Sequence, residues 1–165
     1  MVIECSRLDC KIISFNSYQE SCVILKNIKF SYENLIELQD LPTKLISLIC
    51  NNNLLTKLPK LPTTLIDLWC YDNNLTGLPE LPSNLLSLDC HGNKLTKISL
   101  SENIIFLSCT HNQLTELDIH SKVQELLCND NHSTRIINLP KRLITLYCHN
   151  NEIAIISDLP DSLIK

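Results

Sequence analysis

The sequence predicts a single-domain solenoid of short stacked parallel strands, about eight units long. Three observations predict it. One pattern recurs after twenty residues: Leu45, Leu48, Cys50, Asn53, Leu55, Leu58, Pro59, Leu61 and Pro62 return as Leu65, Leu68, Cys70, Asn73, Leu75, Leu78, Pro79, Leu81 and Pro82. No helix or strand period produces this, and a fixed period near twenty marks a stacked array of turns. Six of the nine cysteines occupy one repeat position: Cys50, Cys70, Cys90, Cys109, Cys128 and Cys148. Within a unit, Leu68 and Cys70 alternate with Asp67, Trp69 and Tyr71, which is strand periodicity.

Residues 1–24 read as a degenerate N-terminal capping repeat, because the ends of an array must shield its core and so depart from consensus. Cys5, Leu8, Cys10, Phe15 and Tyr18 fall at repeat offsets there, with Ile13 at the asparagine position and no Leu-Pro pair. Residues 25–165 form the array proper, about seven units. The unit at Phe30 carries Leu25, Ile28, Leu35, Leu38, Leu41 and Pro42, and two regular units follow at Cys50 and Cys70. The units at Cys90 and Cys109 lose the Leu-Pro pairs and shorten to nineteen residues. The unit at Cys128 has Ser133 where leucine is expected, and the last, at Cys148, runs through Asn151, Ile153, Ile156, Leu159 and Pro160. Leu163-Ile164 stands where another unit would begin, so no C-terminal cap is evident.

Each unit is too short to bury its apolar face alone. Stacking at about 4.8 Å, the distance between adjacent strands, builds one parallel sheet along the array. Leu75, Leu78 and Leu81 then turn inward from the return segment. At the strand exit, an asparagine supplies a donor and an acceptor to backbone groups that the turn leaves facing inward. Asn53, Asn73, Asn93, Asn112, Asn131 and Asn151 are expected to form a continuous internal ladder. Leu-Pro-x-Leu-Pro fixes φ near −65° twice and disfavours helix, so the return path should be extended.

Composition narrows the function classes. The formal net charge is −4 with no basic patch, which argues against a nucleic-acid partner. The longest apolar runs, such as Ile104–Leu107, are far short of a membrane span, and the N-terminus has no apolar core of a signal peptide. An intracellular, cytoplasmic location with reduced thiols is therefore expected. The cysteine column reads as packing. Cys90-His91 and Cys148-His149 are adjacent along a strand, so thiol and imidazole point to opposite faces, and neither a nucleophile nor a metal site is expected. Cβ vectors of stacked cysteines run parallel, which disfavours disulfides. No catalytic residue and no cofactor are expected.

The pattern LxxLxCxxNxLxxLPxLPxx, as at Leu45–Thr64, resembles the leucine-rich repeat in its short 20-residue bacterial-effector-like subtype, with cysteine where those effectors usually carry valine. With the bias toward Ile, Asn and Lys, it is also similar to leucine-rich repeat proteins of giant amoeba-infecting DNA viruses. The resemblance covers about residues 25–165. It implies a leucine-rich repeat solenoid with a curved parallel β-sheet on the concave face. On the convex face it implies extended, polyproline-like or short 3-10 segments, with little helix. It also implies protein binding. Some such effectors add a cysteine-dependent ubiquitin ligase domain or a helical leader. No stretch of this sequence matches either, so ligase activity is not carried over.

The outward strand residues line up in columns on the concave face. One holds Lys29, Ile49, Trp69, Asp89, Ser108, Leu127 and Tyr147; the next holds Ser31, Asn51, Tyr71, His91, Thr110, Asn129 and His149. A flanking column includes Asp67, Ser87, Phe106 and Glu125. Exposed aromatics ringed by polar groups are typical interaction anchors. The expected partner-binding residues are Ile49, Asp67, Trp69, Tyr71, Asp89, His91, Phe106 and Tyr147. The expected function is a non-enzymatic protein-protein interaction module that binds through this face. The alternative is an assembly element that self-associates through its uncapped C-terminal edge.

Overall fold

The computed structural model describes residues 2–4, 12–14, 27–31, 34–154, 156 and 158–164. Each turn of the chain contributes one three-residue strand to a parallel sheet. In chain order the strands are β1 Val2–Glu4, β2 Ile12–Ser14, β3 Asn27–Lys29, β4 Glu37–Gln39, β5 Ser47–Ile49, β6 Asp67–Trp69, β7 Ser87–Asp89, β8 Phe106–Ser108, β9 Glu116–Asp118, β10 Glu125–Leu127, β11 Arg135–Ile137 and β12 Thr145–Tyr147. Eight of them form the large sheet in the order β1-β3-β5-β6-β7-β8-β10-β12. No helix occurs among the described residues. The expected leucine-rich repeat solenoid is the architecture found.

The register follows the repeat. Leu48 stands beside Leu68, Leu68 beside Leu88, and Leu88 beside Leu107. Backbone pairing runs on past the strands, with Cys50 N–H donating to Trp69 O at 2.8 Å and Asn52 N–H to Tyr71 O at 3.0 Å. The core is a stack of aliphatic layers: Leu45, Leu48, Cys50 and Leu55 are fully buried, as are Leu65, Leu68, Cys70 and Leu75 one turn on. A sheet buried between its neighbours on both edges needs no long strands, because each turn supplies the hydrogen-bond partners of the next.

At the N-terminal end the register departs from the repeat. Ile3 pairs with Ile28, and Ile13 with Leu38. The offset is 25 residues, so Ile3 takes the strand position that the twenty-residue spacing assigns to Leu8. Leu8 lies between Arg7 and Asp9, whereas Val2 and Ile3 are β-branched and suited to a sheet. The proposed positions Cys5, Leu8, Cys10, Phe15 and Tyr18 lie outside the described residues.

The return side holds a feature absent from the sequence reading. β4 pairs with β2, and β11 with β9, in two small parallel sheets. The third residue of these return strands is Ser14, Gln39, Asp118 or Ile137. In the regular units the same position is Pro59 or Pro79, which has no N–H to donate, and no strand forms there. In those units the path is extended until a turn in which Leu65 N–H donates to Pro62 O at 3.1 Å, and likewise Leu85 N–H to Pro82 O at 3.0 Å.

Candidate functional site

Asparagines make the turns that hold the strand face in place. Asn73 Nδ2 donates to Cys50 O at 3.0 Å in the previous turn and to Cys70 O at 3.1 Å in its own, while its Oδ1 accepts from Leu55 N–H at 3.0 Å. Asn93 repeats the arrangement with Cys70 O, Cys90 O and Leu75 N–H. So do Asn112 and Asn131. Asn53 bonds Cys50 O and Leu35 N–H, and Asn151 bonds Cys128 O, Cys148 O and Ser133 N–H. Ser133, in the leucine position, is fully buried and donates its hydroxyl to Leu114 O. The unusual backbone conformation belongs to the residue before each ladder asparagine. Asn52, Asp72, Gly92, His111, Asp130 and Asn150 all have φ between 49° and 60°. Asn, Asp and Gly tolerate this left-handed region better than other residues.

The strand face gathers seven of the eight expected residues on β5–β8 and the turns after them. Ile49, Trp69 and Asp89 stand in register on β5, β6 and β7. Trp69 is 41% exposed. Tyr71 and His91 stack face to face, with ring centroids 4.4 Å apart and planes 10° apart. His91 Nδ1 lies 2.7 Å from Asp89 Oδ1. Asp72 Oδ2 approaches the other ring nitrogen, Nε2, at 3.8 Å. Asp67 is half-buried, and that burial raises its carboxyl above the ordinary value. Phe106 lies on β8, in register with Ser87 and half-buried. Tyr147, 52% exposed on β12, is not part of the group, because β8 and β10 stand between it and β7.

Asp72 escaped the sequence reading. Its signal was its place in the left-handed column beside Gly92. A Cβ on Gly92 would collide with the Asp72 carboxylate, so the glycine leaves the room through which Asp72 leans toward His91. Two residues placed on the outward columns are in fact buried: Ser108 at 5% and Asn51 at 3% exposure. Ser108 is short and sits in register between Asp89 and Leu127, which overtop it. Asn51 turns its Oδ1 to accept from Ser31 Oγ at 3.0 Å.

Basic residues avoid the central part of the strand face. From Ser47 to Asn150, the strands of the large sheet and the turn residues that follow them carry Asp67, Asp72, Asp89, Glu125 and Asp130. They carry no lysine or arginine over that span. The basic residues there, such as Lys57, Lys94 and Lys122, lie in turns and return segments. A second surface, also missed, lies one residue before each strand. Ile46, Ile66 and Leu86 floor a groove of about 710 Å³ rimmed by Lys44, Thr64, Asn84 and Asn103. The sequence signal was an aliphatic residue at 46, 66, 86, 105, 144 and 164.

The thiols face the other way. Cys50, Cys70, Cys90 and Cys109 have no exposed surface, Cys128 almost none, and Cys148 is half-buried. Burial pushes Cys50 and Cys128 up to about 12, and Cys70, Cys90 and Cys109 well above their ordinary value, with neighbouring column cysteines adding to the rise. A nucleophilic cysteine needs the opposite, a stabilised thiolate. All six are free thiols, while Cys5, Cys10 and Cys22 lie outside the described residues. Among the described residues no three His, Cys, Asp or Glu side chains are grouped to hold a metal, and no helix is long and apolar enough to cross a membrane.

The fold is a leucine-rich repeat solenoid of the short, bacterial-effector-like kind, a scaffold associated in general with protein interaction. Solved structures similar to it include two of YopM. YopM of Yersinia pestis, described as a leucine-rich effector protein, matches at 27% identity and a TM-score of 0.62, over 80% of this chain and 44% of its own. YopM of Yersinia enterocolitica matches at 26% identity and a TM-score of 0.46, over 85% of this chain and 46% of its own. The chain thus spans less than half the length of either. No protein-family model matches, and no curated protein matches.

Proposed function

We propose that this chain is a non-enzymatic module that binds another protein through the strand face of its repeat array, centred on Trp69, Tyr71 and His91. One observation carries the reading: an exposed tryptophan and a stacked Tyr71–His91 pair stand together on a rigid sheet, ringed by carboxylates. Large rings held in place lose little entropy on binding and dominate most interface energies. The buried thiols of raised pKa support the non-enzymatic part, since the described column cysteines lie in the core, away from His91 and the carboxylates of the strand face. We further place the protein in a reducing intracellular compartment, which suits six free thiols; a column recovered oxidised from the native cell would overturn that placement.

The triple variant Trp69→Ala, Tyr71→Ala, His91→Ala should lose capture of the native partner while keeping a cooperative unfolding transition. Capture that survives in the folded triple variant sinks the site. Self-association is the second reading, favoured by exposed Tyr147, Leu159 and Ile164 near β12. Sedimentation that stays monomeric at high concentration removes it.

A further inference from the structure

We infer that the segment docking on this face is basic, with an arginine side chain lying over the Trp69 indole between Asp67 and Asp89. The inference rests on the reading of the strand face as a docking surface and adds the chemistry of what docks there. Asp67 precedes Trp69 by two residues on β6, so the two side chains leave the same face of the sheet. Asp89 stands in register with Trp69 on β7. Registered residues on adjacent strands are about 5 Å apart and residues two apart on one strand about 7 Å, so Asp89 and Asp67 start from neighbouring positions on two sides of Trp69. His91 holds Asp89 through Oδ1 and so fixes that carboxylate in place.

An exposed indole flanked by two carboxylates selects among ligands. A guanidinium is flat, stacks on an aromatic face and carries donors in its plane that meet carboxylate oxygens. A lysine ammonium is a more strongly hydrated point charge and uses the ring less well. An aliphatic anchor would cover Asp67, already half-buried, and give its carboxylate no donor. An acidic segment would meet like charge. The one lysine or arginine on the described strand face is Lys29 on β3, two strands from Trp69, and neither carboxylate has one on its own strand or on an adjacent strand. The complement must come from the partner.

A displayed random-peptide library, selected on the full chain and counter-selected on the Trp69→Ala, Tyr71→Ala variant, tests the inference. The expected result is enrichment of arginine-bearing peptides whose capture depends on the two rings. Ring-dependent peptides that are apolar or acidic overturn the basic chemistry and leave the docking surface standing. A library with no ring-dependent peptide overturns both. Trp69 is the only tryptophan, so its emission follows the binding of any selected arginine peptide directly. The Asp67→Asn, Asp89→Asn variant should weaken that binding by about tenfold or more. It leaves both rings and the core untouched, and its unfolding transition checks the fold. Equal binding by this variant, or by the same peptide with arginine replaced by glutamate, overturns the inference.

Discussion

At the scale of single residues, the ladder asparagines show why one side chain type recurs. Asn93 has an amide with donors and an acceptor within reach of three buried backbone groups: Cys70 O, Cys90 O and Leu75 N–H. No other small side chain supplies both functions in one plane. Asn93→Ala should therefore cost about 2–4 kcal/mol, since two or more buried groups lose their partner at roughly 1–3 kcal/mol each. Asn93→Asp should not rescue it, because a carboxylate accepts but does not donate. Denaturant unfolding of both variants measures this, and a loss below about 1 kcal/mol would show that water replaces the amide. The neighbouring left-handed residues divide the labour: Asp72 and Gly92 shape the turn, and the asparagine after each ties it down.

At the scale of elements, proline bars a return segment from pairing, although its absence is not enough, since Lys97-Ile98-Ser99 has none and forms no strand. Leu117 and Ile136 sit in the small sheet of β9 and β11, and past the strands Ile119 N–H donates to Ile137 O at 3.0 Å. In the regular unit, Leu58-Pro59-Lys60 has no such ladder. The Ile119 amide should exchange with solvent at least about tenfold more slowly than the Lys60 amide, measured by hydrogen exchange. Comparable rates would mean that the β9–β11 pairing opens independently of the large sheet. The sequence reading took the return path as extended throughout. Pairing needs two neighbouring turns that both lack proline at one position, and a repeat consensus averages that away.

At the scale of the whole molecule, the cysteine column couples stability to pH. Burial raises the folded thiols far above their ordinary value of 9.0, so the folded state stays protonated where the unfolded chain ionises. Stability is complete below pH 9 and is lost as pH rises toward 12. Above pH 9 each buried thiol withdraws stability, and the column cysteines do so together. Circular dichroism should show the fold weakening as pH rises above 9. Cys70→Val with Cys90→Val should move that transition upward. An alkaline midpoint unchanged by the valines would mean that other groups drive it.

How much of this was legible before the structure varies with the residue. The inward positions were plain, because a solenoid repeats its interior: Leu48, Leu68 and Leu88 must meet the same neighbours one turn on, and so must Cys50, Cys70 and Cys90. The outward positions obey no such rule. Strand alternation placed Ser108 and Asn51 outside, and their neighbours and a side-chain bond bury them. Trp69 and Tyr71 could be picked out by type, but not the Tyr71–His91 stack or the reach of Asp72 toward His91. The sequence by itself determined the repeat, its strand positions and its inward columns, because burial in a periodic core is dictated by periodicity. The tertiary structure alone decided the 25-residue offset at β1, the return strands and the contacts that bring Tyr71, Asp72, Asp89 and His91 together. Those depend on which side chains from different turns come within a few ångströms, and the spacing of a repeat does not encode that distance.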